Sequence, residues 1–180
     1  MFERSKRLGW FDLDAIENAN VLVVGAGAIG NEVVKNLVLT GFRKITIVDM
    51  DHVVKSNLNR CVFFRMEDAV KKRYKAEIVA ERAKELLSGW DMSDSSGGCN
   101  GSKGRELDIR YHISRIEALG DDFIPSFDIV FGCLDNLAAR LHINAHCFYS
   151  NTPYIDGATL GMSGKVQVVL PPETPCIECT

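Results

Sequence analysis

The sequence predicts an α/β fold, namely a doubly wound, Rossmann-like, mainly parallel sheet with flanking helices. Two observations lead to this fold class. Short apolar runs alternate along the chain with longer segments in which apolar residues recur at helical spacing, which is the order of a sheet connected by helical crossovers. The apolar runs also carry hydrophobic residues at consecutive positions, as expected of parallel strands that helices cover on both faces.

The first elements lie in NVLVVGAGAIGNEVVKNLVLTGFRKITIVDMD. Strands are predicted over residues 21–24 and 45–48, because both runs are short, apolar and rich in β-branched residues. Between them, Val34 and Val38 fall on one face of a helix predicted over residues 29–40, and Gly41 is placed to end it.

The later elements continue the alternation. Residues 75–87 predict a helix with Ile78, Val79, Arg82 and Leu86 on one side. Further predictions are strands over 107–114 and 127–135, a helix over 136–150, and late strands over 153–158 and 164–171. The segment SGWDMSDSSGGCNGSKGRE has low complexity, and we expect it to be a mobile surface loop.

Composition narrows the classes of function. With 180 residues, 46% of them hydrophobic, the chain is predicted to be one globular domain. A formal net charge of −3 gives no electrostatic reason to expect a nucleic-acid partner. No segment approaches the roughly 20 apolar residues of a membrane span, and the N-terminus lacks the apolar core of a signal peptide. We therefore expect a cytoplasmic protein without a membrane partner, whose scattered cysteines are reduced.

A glycine motif follows the first strand. Gly25, Gly27 and Gly30 form G-x-G-x-x-G between a strand and a helix, and Asp49 ends the next strand. The glycines permit close approach of the backbone to phosphate, the helix N-terminus supplies unpaired N–H donors, and the acid accepts hydrogen bonds from ribose hydroxyls. These residues predict a nucleotide site. An NAD-dependent oxidoreductase is one hypothesis, because this motif occurs most often in such enzymes.

The loop after the second strand favours a different function. DMDHVVKSNLNR places Asp51, Asn57 and Arg60 at the ligand-binding edge of the sheet, where an NAD enzyme needs only the ribose acid. The planar guanidinium of Arg60 suits phosphate, and the Asn57 amide can contact phosphate or its metal. A structural alternative is that Asn57 and Asn59 shape a turn and Arg60 is a solvated surface charge.

With these residues in view, the sequence resembles the adenylating domain of the ubiquitin-activating enzymes and of their bacterial relatives ThiF and MoeB. The resemblance covers almost the whole chain, since GAGAIG, SNLNR, the lysine of YKAE, CLDN, PYIDGA with GKVQVVLP, and CIECT occur in the family's order. The segments GFRKITIVDMD and SNLNR resemble those of the eukaryotic-type activators of ubiquitin-like proteins more closely than those of the bacterial sulfur-carrier activators.

The resemblance implies a reaction and its cofactors. In this family, the C-terminal glycine carboxylate of a ubiquitin-like or sulfur-carrier protein attacks the α-phosphate of ATP and releases pyrophosphate. The two reactants repel each other, so catalysis depends on positioning and charge neutralisation. The resemblance implies that the three glycines cradle ATP and that Asp49 holds its ribose. It places four residues along the phosphate path: Asp51, Asn57, Arg60 and Lys75.

Two of these assignments have alternatives. The resemblance implies that Asp135 binds Mg²⁺, a cation typically held by one or two carboxylates together with substrate phosphates. A helix N-cap or first-turn acid would explain Asp135 equally well. Lys75 lies about two residues farther from Arg60 than the family's usual spacing, so its alternatives for the phosphate contact are Lys71, Lys72 and Arg73.

Residues 1–19 are expected to form an N-terminal arm or helix. FERSKRLGWFDLD resembles the segment in which the family's dimeric enzymes carry an arginine that reaches the neighbouring subunit's ATP. This implies a catalytic role for Arg4, with Arg7 as the substitute, since an arginine supplied by a partner stabilises charge at phosphates. The alternative is a frayed and solvated terminus. A homodimer, or a pair with a homologous subunit, follows from the resemblance.

The last residues predict part of a zinc site. After a core over residues 20–170, residues 171–180 contain Cys176 and Cys179 at C-x-x-C spacing. The family carries two such pairs that jointly bind a structural Zn²⁺, and a closed zinc site needs four ligands. We therefore expect this chain to hold at most half of the zinc site and to cover the first part of the family's domain.

The remaining cysteines are not expected to be catalytic. Cys133 and Cys147 lie in apolar segments and are predicted to pack in the core. Cys61 follows a cation that would lower its pKa, yet the family has no nucleophile there. Cys99 is predicted to be exposed. Besides adenylation and NAD-dependent oxidoreduction, a third hypothesis is a non-catalytic partner subunit, against which the retained Asp49, Arg60 and Asp135 argue.

Overall fold

The structure, a computed structural model, describes residues 5–88 and 107–179. Within these ranges, six strands form one sheet in the order β3-β2-β1-β4-β5-β6. The strands are β1 Asn20–Val24, β2 Lys44–Val48, β3 Asp108–His112, β4 Ile129–Gly132, β5 Tyr154–Leu160 and β6 Ser163–Val169. The first five run parallel, whereas β6 is antiparallel to β5. The predicted doubly wound, mainly parallel sheet is confirmed.

Five α-helices are described. They are α1 Leu13–Asn18, α2 Ala28–Thr40, α3 Met66–Val70, α4 Lys75–Ser88 and α5 Leu137–Ser150. As predicted, Gly41 ends α2, with a φ of +115° in the left-handed region that favours glycine. The sequence analysis did not predict α3. No described helix is long and apolar enough to span a membrane.

The core lies on both faces of the sheet, because side chains alternate along each strand. Val21 and Val23 of β1 belong to the cluster that packs with α2 and α4, whereas Leu22 and Val24 belong to the cluster that packs with α5. The expectation of strands covered on both faces is thereby met. Residues 89–106, which make up the rest of the low-complexity segment after Ser88 and include Cys99, lie outside the described residues, as does Arg4.

Two features of the topology position the site. The chain leaves β1 toward β2 on one side and returns to β4 on the other, and ligands of such sheets bind where the strand order reverses. In addition, β5 is longer than the neighbouring β4. Strand β4 pairs with it only as far as Asp156, so residues 157–160 pair with β6 alone. This β5–β6 hairpin, residues 157–166, extends past the carboxyl edge of the sheet.

Candidate functional site

The glycine turn brings two backbone segments together at the end of β1. Gly25 has a φ of +99°, and a Cβ there would lie 2.6 Å from the carbonyl oxygen of Cys133. A Cβ on Gly30 would lie 1.9 Å from the carbonyl oxygen of Gly25. Gly27, in contrast, has no atom within 4 Å of the place where its Cβ would be. The first and third glycines therefore allow backbone segments to pack closely against each other, whereas the second borders open space.

Asn31, which the sequence analysis missed, braces this turn. Its fully buried Nδ2 donates to the carbonyl oxygens of Ala26 and Gly27, each at 2.9 Å. Its Oδ1 accepts a hydrogen bond from the backbone N–H of Phe63 at 3.0 Å. A polar residue just after the motif is a visible signal, but the contact with Phe63 depends on the fold.

Asp49 closes the turn from the end of β2. Its Oδ2 accepts from the Ala26 N–H and its Oδ1 from the Asp51 N–H, each at 2.7 Å. Burial raises the pKa of the Asp49 carboxyl, and these two hydrogen bonds oppose the shift. The carboxylate is thus oriented by the backbone, and each oxygen retains a second lone pair for a ligand hydroxyl.

A short antiparallel ribbon places Lys75 beside Asp51. The Lys75 N–H donates to the Asp51 carbonyl oxygen, and its Nζ donates to Asp51 Oδ2, each at 2.8 Å. Next to this pair, the rings of His52 and Tyr74 stack with centroids 4.1 Å apart. The ribbon therefore fixes the Lys75 ammonium group at the base of the loop that residues 52–74 form.

The asparagines of this loop shape a turn, as the structural alternative proposed. Asn57 Oδ1 accepts from the Val54 N–H at 3.1 Å, and Asn59 Oδ1 accepts from Arg60 Nη1 at 3.0 Å. Arg60 Nη1 also donates to the Ser56 carbonyl oxygen at 2.6 Å. Asn57 and Arg60 nevertheless border the cavity described below, so the turn and the predicted site are compatible.

Behind the loop lies a buried ion pair that the sequence analysis did not identify. Asp68 of α3 is 1% exposed, and its carboxylate accepts from Arg82 of α4 at 2.6 and 2.9 Å. Arg82 also donates to the Phe63 carbonyl oxygen, and Asp68 accepts from the Arg65 N–H. Burial acts to raise the pKa of Asp68, but hydrogen bonds from Arg82 and Arg65 lower it below its usual value. We call this pair the Asp68–Arg82 bracket.

Asp135 lies three residues after the end of β4, and its side chain is exposed. The N-cap of α5 is the following residue, since Asn136 Oδ1 accepts from the Ala138 N–H at 2.9 Å. The first turn of α5 contains no acidic residue. The capping alternative for Asp135 is therefore wrong.

A second ion pair, in which the aspartate is buried and the arginine partly exposed, supports the β5 side of the site. Arg140, in the first turn of α5, donates through Nε to Asp156 Oδ1 at 2.9 Å and through Nη2 to Asp156 Oδ2. Asp156 is 1% exposed, and the buried Tyr154 hydroxyl donates to it at 2.8 Å. Hydrogen bonding to Asp156 raises the pKa of Arg140. The sequence analysis did not identify this network.

These elements surround a cavity of about 320 Å³, which we call the glycine-turn cavity. It is lined by Gly25, Gly27, Ala28, Ile29, Asp49, Asp51, Asn57, Arg60, Lys75, Cys133, Leu134, Asp135, Arg140, Ala158 and Thr159. Every residue predicted to bind the nucleotide therefore lies on it except Gly30, which packs beneath Gly25. Three cations and three carboxylates are among the lining residues, so the cavity can take a polyanion together with a metal cation.

An adjoining cavity of about 200 Å³ continues from the first. The two share Asp49, Asp51, Leu134 and Asp135. Val24, Met50 and Ile116 give the adjoining cavity apolar walls that suit a planar base. The sequence analysis missed this part because residues 114–117 follow β3, two strands away from β1.

The alternatives to Lys75 lie elsewhere. Lys71 and Lys72 are exposed, and Arg73 binds Glu81 at 2.7 Å and Glu77 at 3.1 Å. Among the four basic residues considered for the phosphate contact, the structure places Lys75 alone on the glycine-turn cavity. At the N-terminus, Arg7 is exposed and does not line the cavity, and Arg4 is outside the described residues.

The cysteines near the site are not activated thiols. Cys133 and Cys147 are buried in the core, where burial raises the pKa of each to about 12. Cys61 is also buried, and burial raises its pKa despite the nearby Arg60 and Lys75. The burial of Cys133 and Cys147 agrees with their predicted packing roles.

Cys176 and Cys179 lie close together on a segment that contacts the middle of α5. Their sulfur atoms are 3.4 Å apart, compared with about 3.8 Å between two thiolates on a tetrahedral Zn²⁺ with Zn–S bonds of about 2.3 Å. Asn144 of α5 is buried and accepts from the Ile177 N–H at 3.1 Å. Hydrogen bonds from Asn144 and Cys179 lower the pKa of Cys176. The pair fits half of a tetrahedral site.

Comparisons with known proteins extend these observations. The ThiF family model matches residues 4–180. The chain is 36% identical over 174 residues to SUMO-activating enzyme subunit 2 of Dictyostelium discoideum, an alignment that covers 96% of this chain and 23% of the relative. It is 36% identical over 180 residues to the NEDD8-activating enzyme E1 catalytic subunit of Arabidopsis thaliana, covering 93% of this chain and 36% of that one.

Solved structures agree on the fold. A crystal structure of Escherichia coli MccB with AMPCPP and MccA superposes with a TM-score of 0.73 at 24% identity, over 93% of this chain and 45% of that chain. The chain thus spans less than half the length of the relatives that it matches.

Proposed function

Because this chain belongs to the ThiF family, we propose that it forms the ATP-binding part of an enzyme that adenylates the C-terminal glycine of a ubiquitin-like or sulfur-carrier protein. The observation that carries the proposal is the glycine-turn cavity, on which the predicted residues of five separate segments meet. Relatives named as SUMO- and NEDD8-activating subunits support a ubiquitin-like substrate.

The two cavities suit the parts of ATP in order. The adjoining cavity has apolar walls for the base, and the oriented Asp49 carboxylate at the junction can accept from the ribose hydroxyls. The glycine turn and the start of α2 then offer backbone donors to phosphate. Arg60 and Lys75 line the glycine-turn cavity but not the adjoining one, and they would neutralise the pyrophosphate that leaves.

Magnesium fits the same arrangement. Asp135 is exposed at the cavity and is not used as a helix cap. In residues 5–88 and 107–179, no three His, Cys, Asp or Glu side chains cluster closely enough to hold a metal by themselves. Asp135 would therefore hold Mg²⁺ together with nucleotide oxygens, and the ion would supply charge neutralisation at the phosphates.

Zinc would bind away from this chemistry. Cys176 and Cys179 would supply two thiolate ligands, with Asn144 orienting the segment that carries them. The other two ligands would have to come from residues that are not described here. The dimeric state, the role of Arg4 and the cytoplasmic location stay predictions.

The other two hypotheses are less well supported. Membership of the ThiF family does not favour an NAD-dependent oxidoreductase. A partner subunit without an ATP site would not be expected to keep Asp49, Arg60, Lys75 and Asp135 on one cavity. The geometry of this site therefore favours an adenylating subunit.

The test is ATP–pyrophosphate exchange by the full chain with a panel of ubiquitin-like and sulfur-carrier proteins. We expect exchange with a carrier that has an intact C-terminal glycine and none when that glycine is deleted. Asp135→Asn should abolish exchange, whereas the exposed Asp121→Asn should not. Tight NAD binding without exchange would overturn the proposal, and a stable pair with a homologous subunit but no exchange would favour the partner hypothesis.

A further inference from the structure

The Arg140–Asp156 pair is the part of the glycine-turn cavity that ATP binding leaves unexplained. In the order of the sheet, Arg60 and Lys75 belong to segments beyond β2, whereas Arg140 lies beside β5, with the glycine turn between them. If pyrophosphate leaves toward Arg60 and Lys75, the attacking group must arrive from the opposite side for in-line displacement. Arg140 occupies that side.

In this pair, Asp156 holds the Arg140 guanidinium in a fixed orientation. Asp156 takes the Nε and Nη2 donors of Arg140, and the Tyr154 hydroxyl occupies a further site on the same carboxylate. Within the ranges that the structure describes, Arg140 makes its hydrogen bonds through Nε and Nη2, so the Nη1 donors remain for a ligand. The Arg140 side chain is 17% exposed and that of Asp156 only 1%, so the aspartate cannot reach a ligand itself. It acts by orienting the guanidinium.

The surroundings indicate which anion the guanidinium meets. Ala158 and Thr159 of the β5–β6 hairpin share the cavity wall with Arg140, and Leu160 and Met162 beyond them are exposed. A protein tail can therefore enter along the hairpin, while the nucleotide occupies the glycine turn. Under the proposed function, the negative charge that must reach the α-phosphate is the terminal carboxylate of the second substrate.

We propose that Arg140, positioned by Asp156, binds the glycine carboxylate of the second substrate and directs it at the α-phosphorus. This inference rests on the proposed function. One carboxylate oxygen forms the new bond to phosphorus while the bond from the α-phosphorus to the bridging oxygen breaks, and pyrophosphate leaves with the electron pair. The other oxygen becomes the acyl carbonyl oxygen, and the Arg140 donors stay on it. No proton transfer is required.

The test compares two nucleotide analogues by isothermal titration calorimetry with the full chain. One is 5′-O-sulfamoyladenosine, and the other carries acetylglycine on the same sulfamate, as a stable mimic of the adenylate. We expect the wild type to bind the acylated compound about tenfold more tightly, the size of one hydrogen bond to a charged donor. Arg140→Met should remove most of that preference and change the affinity for sulfamoyladenosine by less than about twofold. Arg140→Lys, which keeps the charge but lacks the planar fork, should recover only part of it.

Arg110→Met is the matched control. Arg110 makes the same bidentate contact with Asp108, at 3.0 and 2.7 Å, on β3 and away from the glycine-turn cavity. It should leave both affinities unchanged. Asp156→Asn tests the positioning role and should reduce the preference without changing sulfamoyladenosine binding. If it does not fold, the double variant Arg140→Met/Asp156→Asn removes both charges together and should show the same loss.

The outcomes are distinct. An equal loss of affinity for both compounds would assign Arg140 to the nucleotide and overturn the inference, as would a preference that survives Arg140→Met. A wild type with no preference for the acylated compound would also overturn it. A wild type that binds neither compound would instead overturn the proposed function.

Discussion

The two walls of the glycine-turn cavity use buried aspartates in different ways. On the near wall, formed by Asp51, Asn57, Arg60 and Lys75, the buried aspartate is Asp68, which lies behind the loop in the Asp68–Arg82 bracket. On the far wall, formed by Asp135, Arg140, Ala158 and Thr159, the buried Asp156 binds the cavity arginine directly. Two similar aspartate–arginine pairs are thus placed differently: one lies behind a loop and supports the fold, whereas the other lies on the cavity wall, where we propose that its arginine meets a ligand.

Arg82→Met should give the largest effect and break the near wall. It leaves the Asp68 carboxylate buried without its cation, and removing one partner of a buried pair costs about 3–5 kcal/mol. We expect the free energy of unfolding, measured with urea, to fall by that amount. Arg110→Met is the control, since removing an exposed partner costs about 0–1 kcal/mol. Equal losses in the two variants would contradict the assignment of a supporting role to the bracket.

Gly30→Ala should come next, because it disturbs the floor that both walls share. Its Cβ would lie 1.9 Å from the Gly25 carbonyl oxygen, so we expect a loss of about 3 kcal/mol in stability together with weaker ATP binding. Gly27→Ala meets no atom within 4 Å and should cost less than about 1 kcal/mol. Urea unfolding of both variants decides the point. Similar stabilities would show that the turn relaxes.

Lys75→Met tests whether the near wall binds phosphate. Losing an ammonium contact to phosphate should weaken ATP binding by about 1.5–3 kcal/mol, or roughly ten- to a hundredfold. Titration calorimetry with ATP measures the effect, with Lys71→Met as the exposed control. A larger effect for Lys71→Met would return the phosphate contact to one of the alternative lysines.

The smallest effect concerns pH and α5, the helix that carries the far wall. Burial, and next the neighbouring His146, lower the pKa of His142, while Glu117 and Asp121 oppose the shift. As pH falls below the usual histidine value of 6.5, the unfolded chain gains a proton that the folded chain resists. Stability should therefore decrease from pH 7.5 to pH 5.5. Urea unfolding of His142→Gln should show a shallower decrease, and an unchanged slope would count against this origin.

The site residues that could be predicted from the sequence are those that neighbouring strand, turn and helix signals locate. The glycine motif, Asp49 and the loop to Lys75 could be located because strand, turn and helix follow one another directly. The choice of Lys75 over Lys71 needed the ribbon that pairs Asp51 with Lys75, 24 residues apart. Local spacing alone had left that choice open.

The residues missed are those whose partners are set by the fold. Arg82 was visible as an arginine at an apolar helix position, but nothing in the sequence pointed to Asp68 as its partner. Arg140 and Asp156 meet because α5 packs across β5. The walls of the adjoining cavity likewise come from opposite sides of β1. Contacts of this kind depend on strand order, which hydrophobic periodicity does not specify.

The contact between Asn144 and Ile177 has a mechanical consequence. Arg140 lies in the first turn of α5, Asn144 one turn later, and both project from the same continuous helix. A helix advances about 1.5 Å per residue and resists bending over so short a span. A slide of α5 by even one residue would therefore displace the arginine and the cysteine segment together. The cavity wall and the C-x-x-C pair are thus both attached to the same rigid helix. An insertion within α5 between residues 140 and 144 should therefore be tolerated less well than one in the connection from Leu170 to Pro175.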